Sequence, residues 1–143
     1  MDHKLKLMVV DDSPLFRTWL IHSLSADDRF QVVGYAVNAL DAQEKIPLLQ
    51  PDMLTLDIEM PGMSGIEFLK QLLPVHPIPV ILVSSLNLRV FDALEAGAVD
   101  FVRKPDEANG LSKEIFLSML RSKLMVAAAS HVHLPSAPAD PQA

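Results

Sequence analysis

A regular alternation of short apolar runs with longer amphipathic segments limits the fold more narrowly than anything else in this sequence. The runs are Leu7-Met8-Val9-Val10, Val32-Val33-Gly34-Tyr35-Ala36, Met53-Leu54-Thr55-Leu56, Val80-Ile81-Leu82-Val83 and Val99-Asp100-Phe101-Val102. Most are continuous, the pattern of strands buried on both faces of a parallel sheet. Between them apolar residues recur at helical spacing. Leu15, Phe16, Trp19, Leu20 and Leu24 form one stripe, Ile66, Phe68, Leu69, Leu72 and Leu73 a second, and Ile115, Phe116, Met119, Leu120 and Leu124 a third. The reading is an α/β chain, a βα-repeat sheet covered by helices on both sides.

Boundary signals agree. Ser13-Pro14 reads as an N-cap followed by proline at the first helical position, where a missing N–H costs nothing. Gly97 and Gly110 fall where helices end or turns begin. Pro47 lies inside the second expected helix, Asn38 to about Gln50, and predicts a kink or an early stop. Met8, Met53 and Met119 read as core filler and Trp19 as a packed helix residue. From Ser130 the composition shifts to proline and alanine. Residues 1–129 are therefore expected to form one domain, and 130–143 a linker to a further domain or a frayed tail.

Composition narrows the function. A chain of 143 residues, half of them hydrophobic, has core enough for one domain. The formal charge of −6 lacks the basic footprint that nucleic acid or an anionic membrane surface requires. The absence of cysteine removes disulfides, zinc–thiolate sites, iron–sulfur clusters and thiol catalysis. No run approaches the ~20 apolar residues of a bilayer span, and Leu7 to Val10 is too short for a secretory signal. The expectation is a cytoplasmic domain without membrane insertion or nucleic-acid binding.

In an open parallel sheet, ligands bind beyond the carboxyl ends of the strands, where strand order reverses. The first run ends in Asp11-Asp12, the third in Asp57, the fourth in Ser84-Ser85 and the fifth leads to Lys104-Pro105. Singly, an Asp-Asp pair is more often a helix cap with a solvated neighbour, Lys104 a surface ion pair and Ser84 a satisfied hydroxyl. Their common position on one rim favours a site. Two unit charges at ~4 Å repel by roughly 4 kcal/mol at an effective dielectric of ~20, so such carboxylates must take up protons or a cation. Oxygen donors without His or Cys suit Mg²⁺ better than Zn²⁺. A bound cation and Lys104 would make Asp57 a nucleophile toward phosphorus, giving an aspartyl phosphate. A flavin-nucleotide site is disfavoured by the two charges after the first strand.

Four segments, Val9-Val10-Asp11-Asp12-Ser13, Leu56-Asp57-Ile58-Glu59-Met60-Pro61-Gly62-Met63-Ser64-Gly65, Val83-Ser84-Ser85-Leu86 and Gly97-Ala98-Val99-Asp100-Phe101-Val102-Arg103-Lys104-Pro105, carry a resemblance. In this order and spacing they resemble the receiver domains of two-component response regulators, over roughly residues 6–127. The resemblance implies a flavodoxin-like, doubly wound (βα)5 three-layer sandwich with sheet order 2-1-3-4-5. It implies Asp57 as phosphoacceptor and Mg²⁺ (or Mn²⁺) held by Asp12, Asp57 and the Glu59 backbone carbonyl, with Asp11 reaching the metal through water. It further implies Lys104 as the phosphoryl-contacting lysine, a cis Lys104–Pro105 bond, and Ser84 and Phe101 as switch residues. The partners implied are a histidine kinase and an attached effector domain or downstream protein.

Asp57-Ile58-Glu59-Met60-Pro61, Val83-Ser84-Ser85-Leu86 and Gly97-Ala98-Val99-Asp100-Phe101-Val102 are most similar to receivers of chemotaxis-type protein-glutamate methylesterases (CheB-like). That implies a chemotaxis-type kinase and a regulatory fragment whose esterase domain lies elsewhere, since Gly62-Met63-Ser64-Gly65 lacks the spacing of a nucleophile elbow. Two departures stand out. Ser84 and Lys104 are 20 residues apart (104 − 84), a short interval that predicts a contraction around Asn87 to Phe91, and Ser64 replaces the frequent aspartate. The alternatives are a stand-alone receiver with another output and a phosphohydrolase with an aspartyl-phosphate intermediate, for which Glu59 has the spacing of a second acid but on the third strand.

Overall fold

The computed structural model describes residues 3–85, 89–106, 108 and 110–133. In chain order the elements are β1 (Leu5–Val10), α1 (Pro14–Ser25), β2 (Phe30–Ala36), α2 (Ala39–Leu49), β3 (Met53–Leu56), α3 (Gly65–Leu72), β4 (Val80–Ser84), α4 (Arg89–Glu95), β5 (Asp100–Arg103) and α5 (Lys113–His133). All strand pairings are parallel and the order is β2-β1-β3-β4-β5. After β2 the chain crosses back over β1 to lay β3 on its other side. The carboxyl ends of β1 and β3 thus flank the crevice where the order reverses.

Alternation along the central strands builds two cores. Met8, Val10, Leu54, Leu56, Val80 and Leu82 point to the layer of α2, α3 and α4. Leu7, Val9, Met53, Ile81, Val83 and Val102 point to α1 and α5. Strands β3 and β4 are buried at every position, as expected of strands covered on both faces. Each large side chain removed from water contributes about 1.5–3 kcal/mol. Phe68 under α3 and Phe116 under α5, both fully buried, are the largest on their helices.

Helix ends follow local chemistry. Ser13, Asn38 and Ser64 cap α1, α2 and α3, each side chain accepting a backbone N–H three residues on. Ser64 is therefore interchangeable with aspartate in this role. Helix α2 contains Pro47 and stops two residues later, at Leu49, with Gln50 in the left-handed region at φ 50°. Gly97, at φ 123°, ends the turn between α4 and β5.

Some expected boundaries and faces differ. Leu15, Ile115 and Met119 lie on the solvent side of their helices, exposed by 86%, 51% and 42%. Each stands beside a larger or better placed core residue, so the apolar stripe is narrower than the sequence implies. Met8 and Met53 are core, as expected, whereas Met119 is not. Helix α5 runs to His133, beyond the change of composition at Ser130, because Ala127 and Ala128 still dock on the sheet. Residues 134–143 lie outside the described residues. The contraction expected around Asn87 to Phe91 falls partly on residues 86–88, also outside them, and α4 has only seven residues. Among the described residues no helix is long and apolar enough to cross a membrane.

Two predictions follow from the packing. A Cβ on Gly65 would meet the Ile58 backbone Cα at 2.6 Å, and the Gly65 N–H already donates to the Ile58 carbonyl at 3.1 Å. Gly65→Ala should lower unfolding free energy by about 1–3 kcal/mol in urea titration. Asp27 accepts the Arg29 N–H and side chain and lies 3.5 Å from Arg121 of α5. Arg29 hydrogen bonds, against partial burial, hold its pKa down to about 2. That stabilisation is complete above the unfolded value of about 3.9 and fades as pH falls toward about 2. Asp27→Asn should therefore lower Tm at neutral pH, the gap to the parent protein closing on acidification through that window.

Candidate functional site

The site lies one residue past the strands. Asp11 follows β1 and Asp57 follows β3, and both stay in the ladder by their backbones. The Asp11 N–H donates to the Ala36 carbonyl at 3.1 Å, and the Asp57 N–H to the Val10 carbonyl at 3.0 Å. Lys104, just beyond β5, donates its N–H to the Ser84 carbonyl at 3.0 Å. The sheet thereby fixes where three chain segments turn off into loops, and their side chains meet at the β1–β3 crevice.

Both carboxylates are buried, Asp11 to 2% and Asp57 to 5% exposure. Lys104 Nζ lies 3.1 Å from Asp11 Oδ2 and 3.1 Å from Asp57 Oδ2. The remaining oxygens are occupied as well. Asp11 Oδ1 accepts the Ser13 N–H at 2.9 Å, and Asp57 Oδ1 accepts the Glu59 N–H at 3.0 Å. Burial raises the Asp11 pKa and the neighbouring Asp57 adds to the rise, while the Ser13 N–H and Lys104 oppose it. For Lys104, burial disfavours the ammonium, but Asp11 and Asp57 outweigh it and the pKa is raised. The ammonium is therefore a fixed positive charge between two buried acids.

Asp12 completes the cluster from the exposed side. Carboxylate oxygens of Asp11, Asp12 and Asp57 lie within 4.8 Å of one another. Three carboxylates and one ammonium leave two negative charges in a small volume. A hard divalent cation fits that excess, and an all-oxygen donor set fits Mg²⁺ in preference to Zn²⁺.

The other expected residues are placed as follows. Ser84, the last residue of β4, is 1% exposed, and its buried Oγ has no hydrogen-bond partner among the described residues. A buried hydroxyl in that state calls for an explanation. Phe101 of β5 is half-buried and packs on the α2–α4 side of the core. Glu59 brings its amide to Asp57 and exposes its side chain. The Lys104–Pro105 bond is trans, which corrects the cis expectation. Trans is the ordinary preference of an X–Pro bond, by ~0.5–1 kcal/mol, and the Lys104 contacts are made with it.

Two contacts escape a sequence reading. Arg17 Nη1 donates to the Asp11 carbonyl at 2.8 Å, pinning the peptide between Asp11 and Asp12. The Phe16 ring lies under Lys104, its centroid 4.6 Å from Nζ. The only available signal was position: both residues sit in the first turns of α1, just after the Asp11-Asp12-Ser13 cap.

The model of the response regulator receiver domain matches residues 7–116. The chain belongs to this family. The receiver resembles the response regulator domain of Thermotoga maritima CheB, at 37% identity and a TM-score of 0.78, covering 89% of this chain and 98% of that one. It is 46% identical over 129 residues to protein-glutamate methylesterase/protein-glutamine glutaminase 2 of Syntrophomonas wolfei, covering 90% of this chain and 38% of that protein. The Vibrio vulnificus protein of the same name is 43% identical over 136 residues, covering 92% and 39%. This receiver, of the methylesterase type, thus spans about two-fifths of the length of these relatives.

Removing the ammonium leaves two buried acids without their counter-charge. Lys104→Met should destabilise the receiver by about 1–3 kcal/mol at neutral pH in urea titration, with part of the loss recovered in mild acid as Asp11 takes up a proton.

Proposed function

We propose that this receiver accepts a phosphoryl group on Asp57 from the phosphohistidine of a histidine kinase, of the chemotaxis type, and thereby switches the interactions of an attached effector or a downstream protein. The observation that carries the reading is the buried Asp57 carboxylate, bridged to Asp11 by one ammonium and forming a three-carboxylate cluster with Asp11 and Asp12.

Chemically, a carboxylate oxygen of Asp57 attacks phosphorus in line with the departing imidazole nitrogen, forming the O–P bond as the N–P bond breaks. Lys104 already touches Asp57 and is placed to shift onto a phosphoryl oxygen. The Glu59 amide holds the other Asp57 oxygen and so orients the attacking group. Mg²⁺ (or Mn²⁺), with Asp12, Asp57 and the Glu59 carbonyl as ligands and Asp11 behind them, would supply positive charge to the transferring oxygens.

Ser84 supports a switch. Its buried hydroxyl has no acceptor among the described residues, and a phosphoryl group on Asp57 would offer one across the same rim. Movement of Ser84 would free space beside Phe101, whose turn inward would alter the surface of α4, β5 and α5. Two relatives carry methylesterase and glutaminase in their names. We infer that the output governed is a protein-glutamate methylesterase domain, held outside this chain.

The test is labelling with acetyl phosphate and Mg²⁺, read by Phos-tag gel and intact mass. The parent protein should gain one phosphoryl group and Asp57→Asn none; label retained in Asp57→Asn would overturn the assignment. Mg²⁺ should raise Tm, by an equivalent of about 2.7 kcal/mol at a hundredfold excess over Kd, and Asp12→Asn should blunt the effect.

A further inference from the structure

We propose that Phe16 is a positioning residue for Lys104, its aromatic face holding the ammonium where it bridges Asp11 and Asp57. The inference rests on Asp57 as phosphoacceptor and adds a residue to that site. The placement begins in the sequence. Ser13 caps α1 and donates its own N–H to Asp11 Oδ1, and the Phe16 N–H points at the cap oxygen, 3.5 Å away. The same turn that orients the Asp11 carboxylate therefore orients the Phe16 ring.

The ring is not free to swing away. Phe16, Trp19 and Phe116 form a closed triad, with centroids 5.7 Å apart for Phe16–Trp19, 5.9 Å for Phe16–Phe116 and 5.9 Å for Trp19–Phe116. Phe116 is fully buried, so the triad anchors Phe16 to the core beneath α5. Lys104 Nζ then lies over the Phe16 ring at 4.6 Å from the centroid, a distance at which the negative ring face attracts a cation. The carboxylates draw the ammonium from the sheet side, and the ring receives it on the α1 side. An aliphatic residue would exclude water equally well but would not attract the charge. The ring thus narrows the positions available to Lys104, and a lysine held in place loses less entropy when it meets a phosphoryl oxygen.

The test combines shape-matched variants with a readout independent of phosphorylation. In protein carrying ¹³C-labelled lysine, without metal or phosphodonor, the Lys104 εCH₂ protons should resonate upfield of the other lysines, shielded by the ring; Lys104→Arg assigns the signal. Phe16→Leu should abolish the shift and slow labelling by acetyl phosphate at saturating Mg²⁺ roughly two- to tenfold. Phe16→Tyr should preserve both. Trifluorophenylalanine at position 16, which keeps the shape but cancels the negative face, should slow labelling as leucine does. An unshielded Lys104 signal in the parent protein, which needs no variant, would overturn the contact. Parent-like labelling in Phe16→Leu or the trifluoro form, or equal loss in Phe16→Tyr, would overturn the positioning role alone. Failure of the parent protein to label at all would sink the Asp57 reading and, with it, the effect of Phe16 on transfer.

Discussion

One ammonium shared by two buried carboxylates governs this molecule. Asp11 and Asp57 are delivered to the same place by neighbouring strands, where two carboxylates repel unless a positive charge stands between them. Lys104, arriving from β5 across the full width of β3 and β4, supplies that charge. The contact is as much a constraint on the fold as a feature of the site. It ties the loop after β5 to the crevice between β1 and β3, and it leaves the cluster, with Asp12, still two charges short of neutrality. In the function proposed above, that deficit is what a divalent cation would offset when a phosphoryl group reaches Asp57.

Around this interaction the scaffold divides its labour. The central strands are buried on both faces and give the rim its rigidity. The α1 and α5 side carries the aromatic triad that reaches Lys104 from below. The opposite side carries the short α4 and the half-buried Phe101, joined to the site through β4 and β5. A phosphoryl group at Asp57 would thus have the aromatic triad on one side and, on the other, a buried serine hydroxyl without a hydrogen-bond partner among the described residues.

Much of this was legible from the order of residue types. Continuous apolar runs ending in Asp11, Asp57, Ser84 and Lys104 placed the chemistry on one rim before any contact was visible. Helical faces were less legible. Leu15, Ile115 and Met119 fit the period but face water, because hydrophobic spacing defines a sector of the helix and packing decides how much of that sector is used. The end of α5 is not legible in composition: proline and alanine become frequent from Ser130, yet the helix persists to His133 behind its docked alanines. The geometry of Lys104–Pro105 could not be read locally, since either isomer of an X–Pro bond is accessible and the surrounding contacts select one.

By itself the sequence determined the repeating βα architecture, the cap at Ser13, and which side chains stand at strand ends, because these depend on neighbours a few residues away. Only the tertiary structure decided that Lys104 contacts Asp11 and Asp57 together, that Arg17 holds the Asp11 carbonyl, and that Phe16 lies beneath the ammonium. Lys104 is separated from its two partners by 93 and 47 positions (104 − 11 and 104 − 57), distances over which periodicity carries no information. Strand order and the pairing of β1 with β3 bring them together, and that pairing is a property of the whole sheet.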